Sequence, residues 1–144
     1  MVELILVMVI AGILAALAVP RLVGRSTFDA RGFTDELASL VRFAQKLSIA
    51  QRREVYVQFT ANDATLCYEA AAPCAVVDQA PGPGGEKPYT VTAPNGLTIA
   101  GPAVPLRFDA SGGTPELVAQ LVIAVNGVGA YQVLVEQETG YVHD

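Results

Sequence analysis

The chain has 144 residues, 52% of them hydrophobic, and this length leaves room for one globular domain after an apolar N-terminal segment. Its net charge of −5 is unevenly distributed, since residues 21–53 hold seven of the nine Lys and Arg residues and residues 54–144 hold ten of the fourteen acidic ones. The acidic distal part argues against a general nucleic-acid interface there, because binding to phosphates requires clustered cations.

The first predicted element is an apolar helix with one charge near its start. Glu3 is the only charged residue before Arg21, and residues 4–19 include no polar side chain. As a helix, this apolar run would be about 24 Å long, slightly short of a hydrocarbon core of about 30 Å. Burial of an unpaired carboxylate is costly, so the position of Glu3 indicates a function for it.

Two general interpretations of this segment leave Glu3 without a role. A secretory signal peptide would begin with basic residues, which are absent here, although residues 16–18 resemble a cleavage site. A plain membrane anchor is the second interpretation. The basic Arg21 and Arg25 that follow the span would then favour a cytoplasmic location for the rest of the chain.

A third interpretation uses the order of residues within the segment. Glu3 is followed by the string IAGILAA at residues 10–16 and then by Pro20. This arrangement resembles the N-terminal segment of type IV pilins and type II secretion pseudopilins, in which a glutamate precedes a long apolar run and a helix-kinking proline. The resemblance implies that Glu3 sets the register of assembly by pairing with the N-terminal ammonium of an adjacent subunit. It also implies a bend in the helix, which the low helical stability at Pro20 and Gly24 would permit.

The family's basic leader and its Phe-Thr pair are absent from this sequence. We therefore expect that the leader and the first mature residues are missing, and that restoring them would lengthen the apolar run toward a full membrane span.

The second helical pattern follows the apolar segment. From Thr34 onward, apolar residues recur with helical spacing, which predicts an amphipathic helix that packs one face on a sheet. Thr34 is a plausible N-cap, because Asp35 and Glu36 follow it in the first turn. The preceding stretch, residues 21–32, either continues the helix with a weak point or is loosened.

Beyond Glu54 the hydrophobic period changes to two, which is typical of strands. The strands are predicted at residues 55–59, 65–68, 89–92, 97–100, 106–108, 117–125, 131–136 and, as an edge strand, 139–142. The fold class is therefore α+β, with a long N-terminal helix packed on an antiparallel β-sheet domain. The predicted parts are a hydrophobic transmembrane and assembly helix (1–23), an amphipathic helix that continues onto the head domain (24–53) and an antiparallel β head domain (54–144).

Two cysteines, Cys67 and Cys74, are seven residues apart. This spacing predicts a small disulfide loop in a chain segment outside the cytoplasm, with a pair of buried free thiols as the alternative. Two thiols are too few for a structural zinc site without several histidines, and His143 is the only histidine.

The resemblance extends beyond the first helix. Residues 28–33 and 42–50 resemble the minor pilins grouped as GspH/FimT. Within that group the chain is most similar to a minor pilin of mannose-sensitive haemagglutinin (MSHA) pili. This implies a structural subunit of a type IV pilus or type II secretion filament, with one pass through the inner membrane and a periplasmic head domain. Other pilin subunits, the inner membrane, the assembly platform and a leader peptidase are the implied partners.

The sequence offers no pattern of catalytic residues, metal ligands or cofactor-binding residues, so we do not expect an enzyme. A different function remains open, that of a membrane-anchored binding module, either an adhesin or a DNA-uptake pilin at the filament tip. Residues 136–144 contain no Lys or Arg, which makes DNA binding through this end unfavourable.

Overall fold

The computed structural model describes residues 2–23 and 25–144, with side chains described at residues 2–14 and 27–144. Two helices come first, α1 (Val2–Val23) and α2 (Arg25–Gln51). Thr34 lies inside α2, where its buried hydroxyl donates a hydrogen bond to the Ala30 carbonyl at 2.8 Å. The prediction that Thr34 is an N-cap is therefore wrong. Inside a helix, a threonine hydroxyl can donate a hydrogen bond to the carbonyl one turn earlier, so a threonine does not have to mark the start of a helix.

Eight strands follow the helices. Their bounds are β1 (Val55–Phe59), β2 (Asp63–Cys67), β3 (Thr90–Thr92), β4 (Thr98–Ala100), β5 (Leu106–Phe108), β6 (Leu121–Asn126), β7 (Tyr131–Val135) and β8 (Val142–His143). The first sheet has the order β3-β2-β1-β5 and the second has the order β4-β6-β7-β8, with antiparallel pairing throughout. The predicted α+β class is confirmed, with two four-stranded sheets after the helices.

The largest difference from the predicted strands is at β6. This strand begins at Leu121, whereas the apolar pattern predicted a start at Leu117. The amide of Leu117 donates to the Thr114 carbonyl at 3.1 Å and so closes a turn. The amide of Leu117 cannot take part in this turn and in strand pairing at once, so the strand begins later in the chain than predicted.

One hydrophobic core joins α2 to both sheets. The residues of α2 that recur on its inner face, among them Leu37, Leu40 and Val41, are fully buried. The period of two in the strands sends alternate side chains into the same core. These include Val55, Val57 and Phe108 from the first sheet and Ile123, Val133 and Val135 from the second. We call α2 with the two sheets the head domain.

Candidate functional site

The N-terminal half of α1 has no cover from the head domain. Every side chain described in α1 is exposed, and ten large apolar ones are at least half exposed. They are Val2, Leu4, Ile5, Leu6, Val7, Met8, Val9, Ile10, Ile13 and Leu14. Because successive helical residues are rotated by about 100°, seven consecutive exposed residues at 4–10 show that no side of this segment is covered.

An apolar surface of this kind favours association. Burying a Val, Leu or Ile side chain contributes about 1.5–3 kcal/mol, so burying half of these ten would contribute roughly 8–15 kcal/mol. The entropy that two molecules lose on association is of the same order, about 4–15 kcal/mol. Burial of the exposed part of α1 against another apolar surface would therefore offset much or all of this entropy. Among the described residues, no helix reaches the length and mean hydropathy that a membrane span requires.

Glu3 lies in the first turn of α1 and is exposed. A carboxylate is favourable there because the unpaired amides at a helix N-terminus carry partial positive charge. Within the part of the chain that the structure describes, the salt bridges all involve other residues. Glu3 thus lies beside the exposed apolar surface of α1.

The two residues of the predicted bend fall near the end of this helix. Pro20 lies within α1, and Gly24 lies outside the described residues. A bend at these positions stays a prediction.

The two cysteines are joined by a disulfide. Cys67 ends β2 and Cys74 lies in the loop that follows, with the two Cα atoms 6.0 Å apart. The buried Gln58 of β1 supports the same loop, because its amide nitrogen donates to the Ala71 carbonyl at 2.7 Å. The disulfide predicted from the spacing is therefore present, and it holds the loop against the outer face of the first sheet.

A glutamine of α2 connects the helix to loops that follow strands of both sheets. The side-chain amide nitrogen of Gln45 lies 2.9 Å from the Gly112 carbonyl and 2.7 Å from the Thr139 carbonyl. Gly112 follows the first sheet's β5, and Thr139 lies between β7 and β8 of the second. Thr114 strengthens this junction, since its hydroxyl donates to the Gln137 carbonyl at 2.6 Å.

We expect Gln45→Ala to lower the free energy of unfolding of the head domain by about 1–3 kcal/mol, because it leaves two carbonyl acceptors without their donor. Gln51→Ala is the matched control, since Gln51 is exposed at the end of the same helix. The measurement is urea unfolding of the full chain in detergent, followed by near-ultraviolet circular dichroism of the tyrosines, which all lie in the head domain. Equal stability of the two variants would contradict the role of Gln45.

Charged and polar side chains of the head domain form pairs at its surface, among them Arg42 with Asp144 and His143 with Glu136. Among the described residues, no group of three or more His, Cys, Asp or Glu side chains is placed to hold a metal ion. Nε2 of His143 lies 3.1 Å from Oε1 of Glu136 and so ties β8 to the end of β7. The hydrogen bond with His143, and then that from Gln120, holds the pKa of the Glu136 carboxyl below its usual value.

Comparison with known proteins gives structural matches alone. No family model matches the chain, and no curated protein matches its sequence. Two crystal structures of the type IV minor pilin FimU from Pseudomonas aeruginosa are similar to it, with TM-scores of 0.60 and 0.56 and sequence identities of 15% and 14%. Each match covers 78% of this chain, and 85% and 90% of the FimU chains respectively. The chain therefore has a type IV pilin-like fold.

Proposed function

We propose that this protein is a structural minor pilin or pseudopilin, a subunit that assembles into a filament through its N-terminal helix. The observation that carries the proposal is the apolar surface of α1, which is exposed on all sides at residues 4–10 while α2 is packed in the head domain. The head domain forms its core without residues 2–14. The exposed part of α1 is therefore not needed to fold the head domain and is available for another function. The pilin-like fold supports the same function.

The same helix would serve in two environments. In the inner membrane, residues 1–23 would lie among lipid chains, and in the filament they would pack against the helices of adjacent subunits. A helix that is apolar on all sides suits both, since neither environment offers it water. The disulfide between Cys67 and Cys74 supports a periplasmic location for the head domain, because disulfides persist in oxidising compartments.

The identity of the filament belongs to the same proposal. The resemblance of residues 28–33 and 42–50 to GspH/FimT minor pilins, including that of MSHA pili, supports a place among the minor subunits of such filaments. In this assignment the assembly platform and a leader peptidase are partners of the protein. Glu3 sets the register between subunits, and Pro20 with Gly24 permits a bend of the helix on leaving the membrane.

The test is incorporation into filaments sheared from cells that express the full-length protein with a type IV pilus assembly system. We expect the unmodified protein in the sheared fraction and Val7→Lys absent from it, because a lysine in the apolar surface must be desolvated during assembly. Val118→Lys is the matched control, since Val118 is almost fully exposed in the head domain. Exclusion of the unmodified protein, or incorporation of Val7→Lys at its level, would contradict the proposal.

A further inference from the structure

The two faces of α2 differ in what covers them. Phe33 and Leu37 lie on the face that packs on the sheets and are buried. Phe28 is five residues before Phe33, which corresponds to a rotation of about 140° around the helix. It therefore lies on the opposite face, where 80% of its surface is exposed.

An exposed phenylalanine at this place is unusual for α2. Its other two phenylalanines pack within the head domain, Phe33 in the core and Phe43 edge-to-face on Tyr89 with ring centroids 5.5 Å apart. Phe28 lies close in sequence to α1, whose described surface is also apolar and exposed. Aromatic side chains of this kind contribute much of the energy in protein interfaces.

From these observations we infer that Phe28 is an anchor that contacts the apolar α1 helix of an adjacent subunit. The inference rests on the proposed function and extends its assembly surface from α1 onto α2. The ring is directed away from the sheets of its own head domain, which leaves no cover for it within the described chain.

Contact with a helix suits the Phe28 ring better than burial in lipid does. Phe28 is flanked by the charged Asp29 and Arg31, which are exposed on the same helix and would have to be desolvated in a hydrocarbon core. The α1 helix of a neighbour would cover α2 on one side only, so Asp29 and Arg31 can stay in water at the rim of the contact. Its apolar residues surround the whole circumference at residues 4–10, so it can accept the ring at any rotation.

Photo-cross-linking identifies what covers Phe28 in the assembled filament. Phe28 is replaced by p-benzoylphenylalanine in the full-length protein, and the cross-linked peptides from sheared filaments are sequenced by mass spectrometry. We expect adducts in the α1 segment of an adjacent subunit. The same analogue at Ile49, an exposed apolar residue near the other end of α2, is the control and should give no α1 adduct. Adducts confined to lipid or to a head domain, or the lack of any adduct, would overturn the inference.

Substitution gives an independent readout. We expect Phe28→Ala to lower incorporation into sheared filaments by about tenfold or more, and Phe28→Leu to retain most of it. The tyrosine circular dichroism of both variants should equal that of the unmodified head domain. If Phe28→Ala incorporates normally while the unmodified protein also does, this inference fails and the proposed function stands. If the unmodified protein is itself excluded from filaments, both fail.

Discussion

We expect Glu3→Ala to reduce incorporation of the protein into filaments by about a hundredfold or more while its insertion into the membrane continues. In the assembled state the proposed partner of Glu3 is the N-terminal ammonium of an adjacent subunit. Removal of one member of a buried ion pair costs about 3–5 kcal/mol, because the other charge stays buried without a partner. The insertion step depends on the apolar residues and loses nothing by removal of a carboxylate.

The measurement compares the amount of variant protein in the membrane fraction with that in the sheared filaments. Glu138→Ala is the matched control, since Glu138 is an exposed carboxylate of the head domain far along the chain from α1. The ordinary alternative is that Glu3 is a first-turn acid that stabilises the helix N-terminus, which is worth only about 0.3–1 kcal/mol. Normal incorporation of Glu3→Ala would favour that alternative and contradict a role in register.

The second large effect concerns the core. We expect Phe33→Ala to lower the free energy of unfolding of the head domain by about 3–5 kcal/mol, because it removes a ring that is 97% buried and leaves a cavity between α2 and the sheets. Near-ultraviolet circular dichroism of the full chain in detergent, recorded through a urea titration, measures this loss.

Phe28→Ala is the control for this substitution, as it makes the same chemical change on the opposite face of the same helix. Because Phe28 is exposed, we expect the stability of the head domain to change by no more than about 0.5 kcal/mol. The two variants should therefore separate the functions of the two faces, with stability lost in one and assembly lost in the other. A similar loss of stability in both would mean that Phe28 also packs in the head domain.

Much of the fold follows from local periodicity. The spacing of Leu37, Leu40 and Val41 marks the buried face of α2, and the alternation of Val55 and Val57 marks the inner face of β1. These patterns are readable because each element buries one face, so burial repeats at the period of the helix or strand. The ends of the strands are harder to predict from periodicity. The backbone of Leu117, for example, forms a turn although its neighbours are apolar.

Some features of the candidate site could likewise be predicted from the sequence, and others could not. The isolation of Glu3 in an apolar run is a property of the sequence, and so is the short spacing of Cys67 and Cys74. In contrast, no local pattern in the sequence indicates that the Gln45 side chain joins the helix to two loops. Its acceptors are 67 and 94 residues away in the chain, at distances where a sequence pattern carries no information about contact.

Local sequence was enough to predict the apolar helix with its single carboxylate, the change from helical to strand periodicity and Cys67 with Cys74 as the partners of any disulfide, because each depends on neighbours within a few turns or strands. The tertiary structure alone decided that the eight strands form two sheets around α2, that Thr34 is internal to the helix and that Gln45 joins the sheets. It also decided that Phe33 is buried and Phe28 exposed. The two residues are chemically identical. They differ because α2 is helical through both of them, which puts Phe33 on the face packed against the strands and Phe28 on the opposite face.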